Sequence, residues 1–322
     1  MHANRHVNPT TWLAMLAALA CAGCASTPAI IDHPSANQDG RVRFLVLHFT
    51  DENFERSLDL LSNKHDNPVS AHYLVSRAGE NGRVAPSVLR LVDESQRAWH
   101  AGASRWQGHE PLNGESIGIE IVYESHCGRE PPGGGPGTSP WDVDATCAYP
   151  PYPADQIDSV IALAQGILKR HPQIEPTRVV GHSDIQPENK TDPGPRFPWR
   201  QLAAAGIGAW YDDGDVAWYS GQLGARTAVA PDPLNDAPAV PSLKTVQQAL
   251  AAYGYGVEAT GNADLRTREV VSAFQSHFLP QQRSGEADAQ TVATLFALLW
   301  KYRPDEFRAL RARNPQVPSP PR

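Results

Sequence analysis

Apolar residues along the chain fall into two kinds of pattern, short dense runs and longer stretches at helical spacing. Arg43–Phe49 (RFLVLHF) is a run of apolar and β-forming residues that predicts a buried strand with His48 near its end. His72–Ser76 (HYLVS) predicts a second strand, followed by the turn-forming Ala78–Gly82. Ser116–Val122 predicts a third. Its alternation places Ile117, Ile119 and Ile121 on one face and Gly118, Glu120 and Val122 on the other. Asp155 is a helix-capping residue ahead of a stripe formed by Ile157, Val160, Ile161, Ala164, Ile167 and Leu168, and His171-Pro172 stops that helix. Arg178–Gly181 is a further strand, delivering His182 into a loop of polar residues and prolines. Strands alternating with helices predict an α/β domain over residues 41–212, a mixed β-sheet flanked by helices.

Residues 213–241, rich in Pro, Ala and Asp from Thr227 onward, read as a linker. Beyond it, stretches at 242–253, 264–278 and 288–302 carry Val246, Leu250, Val270, Val271, Phe274, Phe278, Leu295 and Leu299 at helical spacing. Ser242 and Asp288 are caps and Gly254 is a stop. These features predict a C-terminal three-helix bundle over 242–303, with 304–322 as a tail.

The N-terminus has Arg5 followed by an apolar stretch from Trp12 to Gly23, shorter than the roughly 20 residues needed to span a bilayer. Residues 1–23 read as a secretory signal peptide and 24–40 as a tether. Two readings of Cys24 are open. It is incidental to a generic signal, or Cys21-Ala22-Gly23-Cys24 is a bacterial lipobox whose Cys24 carries the lipid, with Cys21 where leucine is usual. The second reading implies a lipid anchor in the outer membrane facing the periplasm, since Ala25 is not the aspartate that signals inner-membrane retention. Cys127 and Cys147 lie in a Pro/Gly-rich segment with no metal-like neighbours. In an oxidising compartment they read as a disulfide, worth about 3 kcal/mol by loop closure, and otherwise as two free thiols.

Composition narrows the picture. The 322 residues are enough for two domains, and 41% hydrophobic with 20% charged residues suits a folded protein rather than a disordered one. A net charge of −7 with no basic stripe excludes a nucleic-acid partner.

Against that background His48, His182 and Asp192 stand out. Two imidazoles and one carboxylate, with a fourth position open, are a common catalytic zinc set. Spacing alone leaves them open to being ordinary hydrogen-bonded residues, because the chain has 12 histidines and lacks the zinc-protease spacings.

Four motifs in order add to this: Leu45-Val-Leu-His48-Phe-Thr, Trp99-His-Ala-Gly102, Ser116-Ile-Gly-Ile-Glu120 and the Gly181–Pro195 segment GHSDIQPENKTDPGP. Together they resemble the zinc-dependent N-acetylmuramoyl-L-alanine amidases that include phage T7 lysozyme, and most of all the lipid-anchored outer-membrane members of Gram-negative bacteria. The resemblance implies a Zn2+ cofactor held by His48, His182 and Asp192, with Glu120 and Lys190 at the two catalytic positions. Some relatives have Cys where Asp192 stands. Others place a catalytic Tyr where this chain has Ala71, which leaves Glu120 to carry the role alone. Trp99, His100 and Trp106 are candidate walls of a substrate cleft, or else core residues. The C-terminal stretches Val246–Leu250, Tyr253–Gly256 and Thr267–Gln275 resemble a peptidoglycan-binding module, or a structural cap of the same shape.

The implied reaction is hydrolysis of the amide between N-acetylmuramic or anhydro-muramic acid and L-alanine in peptidoglycan or muropeptides. No protein partner is called for. The alternative is a non-catalytic peptidoglycan-recognition protein. Because every candidate catalytic residue precedes the linker, hydrolysis of small muropeptides is expected to survive removal of the bundle.

Overall fold

The structure is a computed structural model that describes residues 31–126, 139–144, 147–228 and 241–321. The described residues from Gly40 onward belong to one compact unit. The expected signal peptide with Cys21 and Cys24, and also Cys127, lie outside the described residues, whereas Cys147 is disulfide-bonded. Among the described residues no helix is long and apolar enough to cross a membrane.

Five strands form one mixed sheet: β1 (Phe44–Phe49), β2 (Tyr73–Val75), β3 (Val88–Arg90), β4 (Ser116–Ile121) and β5 (Val179–Gly181), in the order β3-β2-β4-β1-β5. The β2–β4, β4–β1 and β1–β5 pairs are parallel, and β3 closes one edge antiparallel to β2. Helix α1 (Phe54–Ser62) follows β1, and its N-cap Asn53 accepts from Arg56 N–H at 3.0 Å. The sequence reading omits α1 and β3. Asn53 with Phe54, Ser57 and Leu61 buried at helical spacing is a readable signal for the first, whereas β3 is a three-residue edge strand whose Val88 and Arg90 are exposed.

Helices α2 (Pro140–Asp144), α3 (Ala154–Arg170), α4 (His182–Ile185) and α5 (Trp199–Ala204) complete the sheet domain. The alternation in β4 has its expected consequence. Ile117, Ile119 and Ile121 join Leu45 and Leu47 of β1 against Ile157, Val160, Ala164 and Ile167 of α3 in one buried cluster.

The opposite face of the sheet carries the C-terminal helices. Residues 213–228, expected to be linker, form α6 (Asp213–Ala228), whose Val216, Tyr219 and Leu223 are buried. The acid-rich start Asp212, Asp213, Asp215 hides that stripe in the sequence. Helices α7 (Leu243–Tyr253), α8 (Leu265–Phe278) and α9 (Ala289–Tyr302) are the three expected, and α10 (Pro304–Arg313) occupies the expected tail. Phe307 of α10 is fully buried, with Tyr219 of α6 edge-on to it and to Phe296 of α9, at 5.9 and 5.8 Å between centroids. One continuous apolar cluster runs from Phe44, Val46 and Val180 of the sheet through Trp106 into the helices, so the bundle is the cover of one sheet face.

Candidate metal centre

Parallel register brings the candidate residues together at the carboxyl ends of the strands, where open α/β sheets place their ligand sites. His48 pairs with Glu120, and Leu47 pairs with Gly181, so His182 follows one residue beyond the end of β5. Gly181 has no side chain to cap α4. Asp184 does this instead, accepting from the Gly181 N–H at 2.8 Å. The Ser183 N–H donates to the Asp192 carbonyl at 2.9 Å and ties the loop carrying Asp192 to the turn carrying His182.

Nδ1 of His48 and Nδ1 of His182 each lie 3.2 Å from Oδ2 of Asp192. All three residues are buried, and their ligand atoms fall within 4.8 Å of one another. Burial pushes the His48 pKa down to about 4, and His182 adds to that. Burial pushes Asp192 the other way, but the neighbouring His182 and then His48 outweigh this and hold the carboxyl far below its usual range.

A chain of hydrogen bonds fixes the tautomer of His48. Ser116 donates its one hydroxyl proton to the Leu112 carbonyl at 2.8 Å, so it must accept from His100 Nε2 at 3.2 Å. Burial holds His100 neutral, and its Nδ1 therefore accepts from His48 Nε2 at 3.0 Å. Neutral His48 is then left with a lone pair on Nδ1, directed at a carboxylate oxygen. Two acceptors at 3.2 Å repel unless a cation lies between them. Two imidazole nitrogens and a carboxylate oxygen are a donor set that fits zinc.

Glu120 and Lys190 line the same cavity, of about 190 Å3, with Trp99, His100, His182 and Asp192. Phe49, Leu60, Leu61 and Val69 give it an apolar wall. Oε2 of Glu120 is sealed from solvent and has no hydrogen-bond partner among the described residues. Burial raises its pKa well above the usual carboxylate range, the charge of Asp192 adds to that, and Lys190 opposes both.

The three proposed cleft residues separate. Trp99 is 50% exposed beside the cavity. His100 forms part of its lining, yet both ring nitrogens are engaged by His48 and Ser116, and Gly118 makes room for it, since a Cβ there would lie 2.5 Å from its Cγ. Trp106 corrects the expectation of a cleft wall. It is 1% exposed, donates its indole N–H to the Thr177 carbonyl at 2.8 Å, and packs edge-on to Tyr255 at 4.7 Å in the seam between sheet and bundle. A larger cavity of about 590 Å3 lies along that seam, lined by Arg105, Glu188, Asp264 and Arg266 among others, and includes none of the candidate metal or catalytic residues.

Comparison with known proteins gives a concordant result. The sequence pattern of N-acetylmuramoyl-L-alanine amidases matches residues 38–195, and that of a peptidoglycan binding domain matches residues 240–295. The chain is 38% identical over 307 residues to N-acetylmuramoyl-L-alanine amidase AmiD of Escherichia coli (strain K12), covering 91% of this chain and 98% of that one. The crystal structure of AmpDh3 from Pseudomonas aeruginosa, in complex with anhydromuramic pentapeptide, superposes with a TM-score of 0.69 at 36% identity, over 86% of this chain and 99% of that one. The complex of E. coli AmiD with the substrate anhydro-N-acetylmuramic acid-L-Ala-D-gamma-Glu-L-Lys gives 0.66 at 37% identity, over 84% and 93%.

Proposed function

The chain belongs to the N-acetylmuramoyl-L-alanine amidase family, and from that premise we propose that it hydrolyses the amide between the lactyl group of N-acetylmuramic or anhydro-muramic acid and L-alanine. The observation that carries this reading is the His48 lone pair facing Asp192, with the Glu120 carboxyl and its unpartnered Oε2 in the same cavity. The anhydromuramyl peptides bound by the AmpDh3 and AmiD structures support the substrate class.

His48, His182 and Asp192 would hold zinc, which when bound lowers the pKa of water to about 7 and polarises a carbonyl. Glu120 takes the proton of the attacking water as the new C–O bond forms and returns it to the alanine nitrogen as the C–N bond breaks. A carboxyl whose pKa is raised by burial takes up a proton more readily than an ordinary one. Lys190 on the cavity wall places a positive charge beside the oxyanion that develops on the carbonyl. The half-exposed ring of Trp99 offers an apolar face to a sugar or stem residue.

The same proposal extends to the chain ends. Cys24 carries a lipid that anchors the protein in the outer membrane facing the periplasm, Cys127 is the partner of Cys147, and the bundle adds affinity for peptidoglycan. The test is mass spectrometry of products from purified peptidoglycan and from soluble anhydro-muropeptides treated with the full-length protein. Release of intact stem peptides with free N-terminal L-alanine is expected. Cleavage inside the stem, or none in zinc-loaded protein, would overturn the reading.

A further inference from the structure

The turn that presents His182 is held from two directions, and one of them is the bundle. Asp184 caps that turn and is 1% exposed, so its charge has to be satisfied by protein donors. Besides the Gly181 N–H it receives two, both from beyond residue 242. The Tyr255 hydroxyl donates to Oδ1 at 2.6 Å, and His277 Nδ1 to Oδ2 at 2.7 Å. A carboxylate only accepts, so His277 carries its proton on Nδ1. The His277 ring lies parallel to Trp199 at 3.8 Å and to Phe278 at 4.0 Å between centroids. Trp199 in turn packs beneath Gly181, where a Cβ would come within 3.3 Å of its Cζ2.

We infer that Tyr255 and His277 are positioning residues for the metal centre, acting through Asp184 on the turn that carries His182. Loss of either donor leaves a buried carboxylate short of a partner. As it turns toward water for a replacement, the cap on Gly181 weakens. The Ser183 N–H bonded to the Asp192 carbonyl passes the loosening on to the second loop, so two of the three candidate ligands lose their set positions. The inference rests on the reading of His182 as a ligand.

Other contacts cross the same seam without touching Asp184, such as Arg268 to Asp142 at 3.1 Å, and they separate a specific effect from general loosening of the domains. The experiment uses full-length Tyr255→Phe, His277→Leu, His277→Asn, the Tyr255→Phe/His277→Leu pair and Arg268→Ala. Zinc affinity is measured by chelator competition, the cobalt(II)-substituted forms by visible absorption, and kcat and KM on anhydro-muropeptide.

The pair should bind zinc about 10–100-fold more weakly, the usual cost of removing groups that support a ligand. Its cobalt bands should shift, and kcat should fall with KM little changed. His277→Asn keeps an N–H close to the place of Nδ1 and should recover most of the loss, while Arg268→Ala should match wild type. Should His277→Leu fail to fold, Tyr255→Phe carries the test by removing a single oxygen. Folded Tyr255→Phe and His277 variants with wild-type zinc affinity and cobalt spectrum would overturn the inference alone, as would an equal loss in Arg268→Ala. Wild-type protein that takes up no zinc would overturn the metal assignment and this inference with it.

Discussion

His48 and His182 present the same atom to the same carboxylate oxygen, at the same 3.2 Å, yet they are supported from different parts of the chain. The support for His48 is closed within the sheet domain. It runs through His100 and Ser116 to the Leu112 carbonyl, in a space that Gly118 keeps open. The support for His182 crosses the seam to Tyr255 and His277. One half of the site is thus built by residues 44–120 alone, and the other borrows from a bundle whose family match suggests a separate binding role. A module that covers a sheet face and completes a buried polar set belongs to the scaffold of the site, whatever it also binds.

The comparison breaks most visibly if the bundle is removed. Deleting residues 242–322 uncovers Phe44, Val46 and Val180, which share its apolar cluster, and leaves Asp184 without two of its donors. Hydrolysis of soluble muropeptides should fall more than about 100-fold, with a lowered Tm, a combined effect of lost burial and lost ligand support. This replaces the expectation from residue order that activity survives truncation. A truncated protein with wild-type turnover would show that both histidines are supported from within 41–212.

A smaller effect sharpens the His48 side. His100→Phe keeps an aromatic ring but removes the acceptor for His48 Nε2, and should weaken zinc binding about 10–100-fold by chelator competition. Gly118→Ala acts on the same ring, and overpacking of this kind costs about 1–3 kcal/mol in a denaturant titration. Unchanged zinc affinity in His100→Phe would remove the tautomer argument.

The smallest effect belongs to a buttress that touches neither histidine of the site. Glu94 accepts from Tyr73 at 2.7 Å, Arg170 at 2.6 Å and His171 at 2.7 Å. Burial alone would raise its pKa, but hydrogen bonds from Arg170, Tyr73 and His171 outweigh it and hold the carboxyl at about 2, below the ordinary 4.5. A depressed carboxylate stabilises the fold above its unfolded pKa. The contribution should therefore be full above pH 4.5 and fade as pH falls toward 2. Glu94→Gln should cost about 1 kcal/mol or less at neutral pH, converge with wild type in acid, and leave zinc binding alone. A gap that widened in acid would reverse the assigned sign.

Much of the His48 side is legible in the sequence because it depends on local pattern. The β4 alternation separates Ile117, Ile119 and Ile121 from Gly118 and Glu120, and strand ends deliver His48 and His182. The seam is not legible in this way. Tyr255 and His277 meet Asp184 across 71 and 93 residues, and each reads locally as part of a helical module. Trp106 misleads for the same reason, since its position near Trp99 and His100 suggests the cleft while its partners Tyr253 and Tyr255 lie in the bundle. The stripe of α6 hides behind a run of acids and becomes visible only through Phe296 and Phe307.

The central claim is that His182 holds a metal while Glu120, beside it in the same cavity, moves a proton. Zinc content and turnover measured on the same preparations of wild type, His182→Ala and Glu120→Ala test it most directly. His182→Ala should lose zinc and activity together. Glu120→Ala should keep its zinc while kcat falls about 10²–10⁴-fold, the range for a lost general base. Full zinc in His182→Ala, or loss of zinc from Glu120→Ala, would contradict the assignment.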